Sequence, residues 1–366
     1  MRRSSARLQP PASNRLTLGI LLLLAFAASP LAAAAFTAGN LVIYRMNDGA
    51  AALSANGTPV FLDEYTTAGA LVQSIAVPTT TVGAQRRLVC SGTATSEGWI
   101  TRSTDGQYLV FPGYDAAVGA TSITGSASTT VPRVIGRADS TGALDTTTAL
   151  TDAISGGNPR GATSTNGTDL WISGTSAGGG IRYAVLGATT STALNTTTVT
   201  NLRSTNIFDG QLYISTASGA FRLATVGTGT PTTGGQTITN LPGFPTATTT
   251  PYQFFFADLD AGVAGVDVVY VADDSGFIRK YSLVAGSWTA NGTIALANVR
   301  GLTGSVSGTN VTLYVTARTT LQTLTDTSGY NATITGTVST LATAATNTAM
   351  QGVAFVPVSA APAPTV

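Results

Sequence analysis

Hydrophobic and polar positions recur along the chain as one short phrase. A turn residue and a brief spacer precede a run that combines Leu or Val with an aromatic and a β-branched residue. The phrase occurs six times, at 39–44, 105–111, 166–172, 209–214, 266–271 and 308–315. Self-similarity with a period of roughly 20–50 residues is typical of solenoids, propellers and arrays. The pattern therefore predicts one supersecondary unit that is repeated along the chain.

The residues before the phrase indicate hairpins. Asp105-Gly106, Asn166-Gly167 and Asp209-Gly210 precede alternating apolar runs, and such pairs tolerate the positive φ of a tight type I′ turn. Each copy is therefore predicted to be the second strand of a hairpin. The third strands are predicted to carry an outward-facing arginine, at 133–137, 180–183, 219–222 and 276–281. A Thr-rich fourth strand is predicted to close each unit, as at 144–151, 194–200 and 236–241.

The first strand of each unit begins with a shared frame, in which a polar residue is usually followed by a small one. The polar residues of this frame are Glu97, Arg160, Arg203, Gln253, Arg300 and Gln351. The last frame has no hairpin after it, and the phrase at 39–44 has no first strand before it. Segment 350–357 is therefore expected to complete the unit formed by 41–44, 59–65 and 70–77.

Joining the two terminal segments would close the array into a ring and remove its exposed sheet edge. We therefore expect an all-β fold with a single closed β-propeller at 36–357, made of six four-stranded blades. Two alternatives remain open at this point. A seventh blade could use residues 114–159, or the units could form an open β-solenoid or a pair of sandwiches.

The first 35 residues have the order of a secretory signal peptide. Four arginines precede the apolar run 16–28, and small residues follow it, as in a cleavable secretion signal. This run is shorter than the roughly 18 residues of a membrane span. We expect residues 1–35 to be removed, the mature chain to be secreted and extracellular without a membrane span, and the Pro/Ala tail 358–366 to be disordered.

Charge and cysteine content narrow the classes of partner. The chain has 18 basic and 17 acidic residues, so loss of four signal arginines leaves 14 against 17. With one lysine, Lys280, and no basic stripe, nucleic acid is not expected as a partner. Cys90 is the single cysteine, so no intrachain disulfide forms. We expect a monomer stabilised by apolar burial and sheet hydrogen bonds.

The absence of histidine excludes several kinds of chemistry. A Ser-His-Asp or Cys-His hydrolase arrangement, a Cys/His zinc site and histidine-ligated haem all require it. Paired carboxylates remain, and Glu64 and Glu97 are the only glutamates. A carbohydrate-active glycosidase or lyase with two such acids across a cleft is the alternative function that the composition allows.

Calcium is the one cofactor for which the sequence offers ligands. Asp258, Asp260 and Asp267 form part of the densest acidic segment, and alternating side-chain oxygens bind this cation. The segment 261–264 adds no side-chain ligand. Aspartates of this kind also bond their own backbone in turns, so turn chemistry competes with the calcium prediction.

The polar frame is the strongest candidate for a binding site. In a propeller the first strands surround the central channel, so Glu97, Arg160, Arg203, Gln253, Arg300 and Gln351 would form a ring at one mouth. Guanidiniums and amides bind acidic or hydroxyl-rich ligands through paired hydrogen bonds. The competing interpretation is structural, with Glu97 paired to an arginine and the other side chains hydrated. The favoured function is a non-enzymatic extracellular binding or structural protein for a polysaccharide, cell-wall component or surface protein.

Several motifs carry a resemblance to a known family. They are GNLVIYR at 39–45, VFLDEYT at 60–66, LVQSIA at 71–76, NIFDGQLY at 206–213, LPGFPT at 241–246 and YVADD at 270–274. In these motifs the chain resembles a family of secreted, largely uncharacterised bacterial β-propeller-like proteins. The resemblance covers nearly the whole chain after residue 35. It implies secretion and one continuous domain, and it supplies no catalytic residue.

Overall fold

The computed structural model describes Met1, residues 34–176 and residues 178–360. Within these residues the chain is all-β, with 25 strands arranged mainly as four-stranded antiparallel sheets of a propeller-like fold. In this part of the chain, no helix has the length and apolar character needed to cross a membrane. Residues 2–33, which include most of the predicted signal peptide, and residues 361–366 of the predicted tail lie outside the described residues.

Six four-stranded units, numbered here in the order in which they contact one another, account for all but one of the described strands. Each is given below from its first, innermost strand to its fourth. Units 1 to 3 are β25 (Ala349–Phe355), β1 (Leu41–Met46), β2 (Gly57–Tyr65) and β3 (Leu71–Ala76); β5 (Thr101–Arg102), β6 (Tyr108–Tyr114), β7 (Arg133–Asp139) and β8 (Leu144–Leu150); and β9 (Pro159–Ser164), β10 (Asp169–Gly174), β11 (Gly180–Val185) and β12 (Thr192–Asn195).

Units 4 to 6 have the same order of strands and follow one another along the chain. They are β13 (Leu202–Phe208), β14 (Gln211–Thr216), β15 (Leu223–Val226) and β16 (Ile238–Asn240); β17 (Pro251–Ala257), β18 (Val268–Asp273), β19 (Phe277–Val284) and β20 (Ser287–Ala295); and β21 (Gly301–Ser307), β22 (Asn310–Thr316), β23 (Thr320–Asp326) and β24 (Ser339–Thr343).

The remaining strand, β4 (Val89–Ser91), joins units 1 and 2 into a nine-stranded sheet. It pairs with Gly57–Pro59 at the start of β2 and with Tyr114 at the end of β6. All three of its residues are buried.

The two ends of the described chain meet in unit 1. Strand β25 runs antiparallel to β1, with Leu41 opposite Phe355 and Met46 opposite Ala349. This is the pairing that the sequence predicts for segment 350–357. Unit 1 therefore takes its first strand from the C-terminal part of the chain and its other three strands from the N-terminal part.

Apolar clusters lie between neighbouring units, because alternate residues of each second strand point to opposite faces. On β1, Val42 and Tyr44 pack toward unit 2, whereas Leu41 and Ile43 pack toward unit 6. Each consecutive pair of units shares one cluster, and so do units 6 and 1. Representative buried partners are Leu62 with Phe111, Val110 with Ile172, Ile181 with Leu212, Tyr213 with Val269, Tyr270 with Leu313, and Tyr314 with Leu41. Burial on both faces explains the apolar phrase of the sequence.

The first strands contact one another in the same cyclic order. Strand β25 contacts β5, and the series continues through β9, β13, β17 and β21 back to β25. The Gly352 amide donates to the Gly98 carbonyl at 3.1 Å, and the Trp99 amide donates to the Arg160 carbonyl at 2.9 Å. These bonds hold the beginnings of neighbouring first strands against each other.

Turn geometry agrees with the sequence at the predicted hairpin of unit 4. Asp209 and Gly210 have φ of 46° and 68°, the left-handed values that a type I′ turn requires at both central positions.

The prediction of outward-facing arginines on the third strands is wrong for three of them. Arg133, Arg182 and Arg222 are buried. Acceptors inside the fold compensate their guanidiniums, for example the Gly157 carbonyl for Arg133 at 3.2 Å and the Asp152 carboxylate for Arg182 at 3.0 Å.

Candidate functional site

Three predicted arginines gather around one aromatic ring at the end where the first strands begin. The Arg203 guanidinium lies 4.3 Å from the centre of the Tyr252 ring, and that of Arg300 lies 5.5 Å from it. Arg160 is close enough to Arg203 for the like charge to lower its pKa, although burial is the larger cause of that shift. We call this group, consisting of Arg160, Arg203, Arg300 and Tyr252, the arginine mouth.

The three guanidiniums differ in how far other groups satisfy them. Arg300 forms an ion pair with Asp274 at 2.5 Å. Arg160 donates from Nη1 to Asn201 Oδ1 at 2.8 Å and to the Leu202 carbonyl at 3.2 Å. Arg203 is half-buried, and within the described residues its side chain has no hydrogen bond and no ion pair; its contact is with the Tyr252 ring. Arg203 is therefore the guanidinium that is most available to a ligand.

Unpartnered N–H donors are concentrated at this mouth. Among the described residues, the buried Nε atoms of Arg160, Arg203 and Arg300 have no hydrogen-bond acceptor, and neither has Nε1 of Trp99. The Trp99 ring lies edge-on to Tyr252, with centroids 5.2 Å apart. Buried donors are nearly always paired in folded proteins. The mouth is thus rich in donors and poor in acceptors.

Glu97 lies nearby but is withdrawn from the surface. Its side chain is 2% exposed. Oε1 accepts a hydrogen bond from the Tyr114 hydroxyl at 2.7 Å and another from Asn158 Nδ2, and Oε2 accepts one from the Ser91 amide at 3.0 Å. Burial raises the pKa of Glu97, and these hydrogen bonds act against that rise. Glu97 is held by neutral donors, unlike the pairing with an arginine that the structural interpretation expected.

The Gln253 side chain connects the first strand of unit 5 with segments of three other units. Its Nε2 donates to the Ile100 carbonyl at 2.8 Å, and its Oε1 accepts from the amides of Leu302 at 3.2 Å and Val353 at 3.3 Å. The side chain therefore bonds first strands, or the residue just before one, in units 2, 6 and 1. Gln253 therefore has a structural role, because its side chain ties these first strands together.

The Gln351 side chain is also occupied by a hydrogen bond within the protein. It donates to the Ala94 carbonyl at 2.9 Å, and Arg318 donates to the same carbonyl at 3.0 Å. The sequence argument missed Arg318 because it lies in the turn between β22 and β23, with φ of 57°, and not in the repeated frame. Burial, and to a smaller extent the nearby charge of Arg300, lower the pKa of Arg318. Its closeness to Arg300 places a further guanidinium beside the arginine mouth.

The acidic segment predicted to bind calcium is organised by backbone hydrogen bonds. The buried Asp267 carboxylate accepts from the amides of Leu259 at 2.9 Å and Asp260 at 2.6 Å. Asp260 in turn accepts from the Gly262 amide at 2.9 Å. No group of three or more Cys, Asp or Glu side chains within the described residues has an arrangement suited to a metal ion. A calcium site at Asp258, Asp260 and Asp267 stays a prediction from sequence.

Comparisons with known proteins find likeness only to solved structures. No protein-family model and no curated protein matches this chain. A Bacteroides fragilis structure, named provisionally as a 6-phosphogluconolactonase, has a TM-score of 0.47 and 12% identity, covering 82% of each chain. Hydrazine synthase from Kuenenia stuttgartiensis has a TM-score of 0.40 and 11% identity, covering 72% of this chain and 68% of that one. At these scores the two likenesses give no basis for assigning a function.

Proposed function

We propose that this chain is a secreted, non-enzymatic binding protein that holds an anionic extracellular ligand at the arginine mouth. The observation that carries the proposal is the Arg203 guanidinium, which has no intramolecular acceptor among the described residues and lies beside Arg160 and Arg300. A carboxylate or sulfate group supplies the acceptors that this cluster of donors lacks.

The scaffold of the proposal is a closed β-propeller of six blades. Its support is the cyclic order of the apolar clusters, the contacts between successive first strands, and the pairing of β25 with β1. Within the described residues, β4 is the one strand left over from the six units, and it is too short to form a seventh blade. Secretion is supported by the charge and hydropathy pattern of residues 1–35.

The electrostatics of the mouth favour binding over acid catalysis. A glycosidase needs two carboxyl groups that face the same substrate bond. At the arginine mouth Asp274 is paired with Arg300, and Glu97 is buried with both oxygens bonded. The ligand we expect is an acidic polysaccharide of the extracellular space, because its repeated carboxylates meet several guanidiniums at once.

The test is binding of polygalacturonate to the processed protein, measured by calorimetry, with neutral dextran as the comparison polymer. We expect polygalacturonate to bind and dextran not to bind at this site. Arg203→Ala should weaken polygalacturonate binding by about tenfold, the typical scale for loss of a charge-assisted hydrogen bond.

Arg137→Ala is the matched control. Arg137 also lies over a tyrosine ring, 4.5 Å from the centre of Tyr108, but it belongs to a third strand and is paired with Asp145. Its substitution should leave binding unchanged. Equal affinity of the wild type and Arg203→Ala, or no binding of polygalacturonate, would contradict the proposal. Release of new reducing ends from the polymer would favour the enzymatic alternative.

A further inference from the structure

A cavity lies toward the end of the first strands that is opposite the arginine mouth. It has a volume of about 280 Å³ and is lined by residues in or next to five of the six first strands, Gln253 among them. Because the Gln253 side chain bonds to three neighbouring segments, it separates this cavity from the arginine mouth. We call the cavity the aromatic mouth, after Phe208, Phe255 and Phe355 in its wall.

The three phenylalanines of the wall are only half-buried. The rings of Phe208 and Phe255 are perpendicular, with centroids 6.0 Å apart. Gly304 leaves room for Phe255, since a Cβ on Gly304 would stand 2.7 Å from that ring. Aromatic surface left in water costs about 25 cal/mol per Å² relative to burial. A ligand with an apolar face would recover part of this free energy.

Polar groups with free bonding capacity surround the aromatic wall. Arg102 makes one long hydrogen bond, from Nη1 to the Val356 carbonyl at 3.4 Å. Asn206 accepts through Oδ1 from Thr163 at 3.2 Å and from the Ile207 amide at 2.9 Å, while its Nδ2 donates to no described residue. The carboxylate of exposed Asp209 also has no partner in the described part of the chain, and it lines the same cavity.

We propose that the aromatic mouth binds one neutral pyranose ring, such as a hexose residue of a glycan. The C–H face of a pyranose fits a phenylalanine ring, and its hydroxyls both donate and accept, as Arg102, Asn206 and Asp209 require. The opposite charges of Arg102 and Asp209 favour a ligand without net charge. A volume at the lower limit of ligand pockets, about 300 Å³, suits a single ring. This site is separate from the one in the proposed function.

Saturation-transfer NMR with the methyl glycosides of glucose, galactose and mannose tests the proposal. We expect at least one glycoside to bind saturably with a Kd of about 1–10 mM, with the strongest transfer to its ring C–H protons. Phe255→Leu should weaken this binding by about tenfold through loss of the aromatic face. Arg102→Ala, on the exposed rim, should weaken it about threefold or more without affecting folding.

Arg203→Ala is the control from the other mouth and should leave glycoside binding within about twofold of wild type, since distant sites act independently. The inference is overturned if no glycoside binds, if Arg102→Ala and Phe255→Leu both bind as tightly as wild type, or if Arg203→Ala abolishes binding. Loss of polygalacturonate binding with retained glycoside binding, or the reverse, separates the two proposals.

Discussion

Two mouths of different chemistry lie at the two ends of the first strands. Where the strands begin, Arg160, Arg203 and Arg300 present N–H donors around Tyr252. Where they end, half-buried phenylalanines line a cavity whose two charged rim residues have opposite sign. The first strands are oriented alike, as in the parallel bridge between Trp99 and Gly161. Position along the strand therefore decides which mouth a residue reaches, and Gln253 lies between them.

The largest effect should come from removing the side chain that separates the mouths. Gln253→Leu keeps a similar volume but leaves the Ile100 carbonyl and the amides of Leu302 and Val353 without their partner. Each buried group left unpaired costs about 1–3 kcal/mol, so we expect the free energy of unfolding to fall by about 3–5 kcal/mol.

Urea unfolding measures this change. Gln322→Leu is the control, because Gln322 makes one exposed hydrogen bond, to Thr340 at 3.3 Å, and its loss should change stability by less than about 0.5 kcal/mol. If the two variants are equally stable, Gln253 does not tie the first strands together, and the two mouths need not be separate.

A smaller loss should follow from crowding the strands at the arginine mouth. A Cβ on Gly352 would stand 2.5 Å from the Gly98 carbonyl oxygen and 2.5 Å from the Ile100 nitrogen. Backbone atoms cannot yield as a side-chain end does, so Gly352→Ala should destabilise the fold by about 2–3 kcal/mol, as measured by thermal unfolding.

Gly125→Ala controls for the change in backbone freedom, because the nearest atom to its Cβ would be the Ser122 oxygen, at 3.8 Å. That variant should be neutral or slightly stabilised. Full stability of Gly352→Ala would mean that the first strands do not approach each other closely at the arginine mouth.

The sequence pattern grouped the three arginines of the arginine mouth but not the phenylalanines of the aromatic mouth, for a geometric reason. The frame of a polar and a small residue recurs in part because Gly161, Gly301 and Gly352 lie where neighbouring first strands touch, although unit 5 has Phe254 at this position. The phenylalanines have no common offset from this frame. The first strands contain irregular register, for example between Leu202 and Ser204 in unit 4, and such bulges shift which residue faces a given side.

Local and non-local features of the fold also differed in how well they could be predicted. The Asp209-Gly210 turn follows from two adjacent residues, so the pattern sufficed. Glu97 lies between β4 and β5, and its hydrogen bond with Asn158 depends on contact with unit 3, since Asn158 directly precedes β9. No spacing in the sequence carries that information. Gln253 occupies the same position of the frame as the arginines. Its structural role becomes visible only from its hydrogen bonds to Ile100, Leu302 and Val353 in other units.

Salt should affect the two mouths differently. Raising NaCl from about 0.1 M to about 1 M shortens the Debye length from about 10 Å to about 3 Å. Binding of polygalacturonate at the arginine mouth should weaken by about tenfold over this range, because it rests on charge. Binding of a neutral methyl glycoside at the aromatic mouth should stay constant. Calorimetry and NMR titrations at both salt concentrations measure these affinities. A glycoside affinity that falls in parallel would indicate that both ligands bind at the same site.

The smallest effect should be the pH dependence contributed by Glu97, which lies near the arginine mouth. Burial raises the pKa of Glu97 above the ordinary value of 4.5, so between pH 4.5 and the folded pKa the folded state binds more protons than the unfolded chain. The contribution of Glu97 to the free energy of unfolding should therefore be greatest at or below pH 4.5 and should decline as the pH rises through the folded pKa.

Glu97→Gln keeps the shape of the side chain without its charge and should flatten this slope when urea unfolding is measured over a series of pH values. Asp209→Asn, at the aromatic mouth, should leave it in place. A slope that persists unchanged in Glu97→Gln would assign the titration to another group.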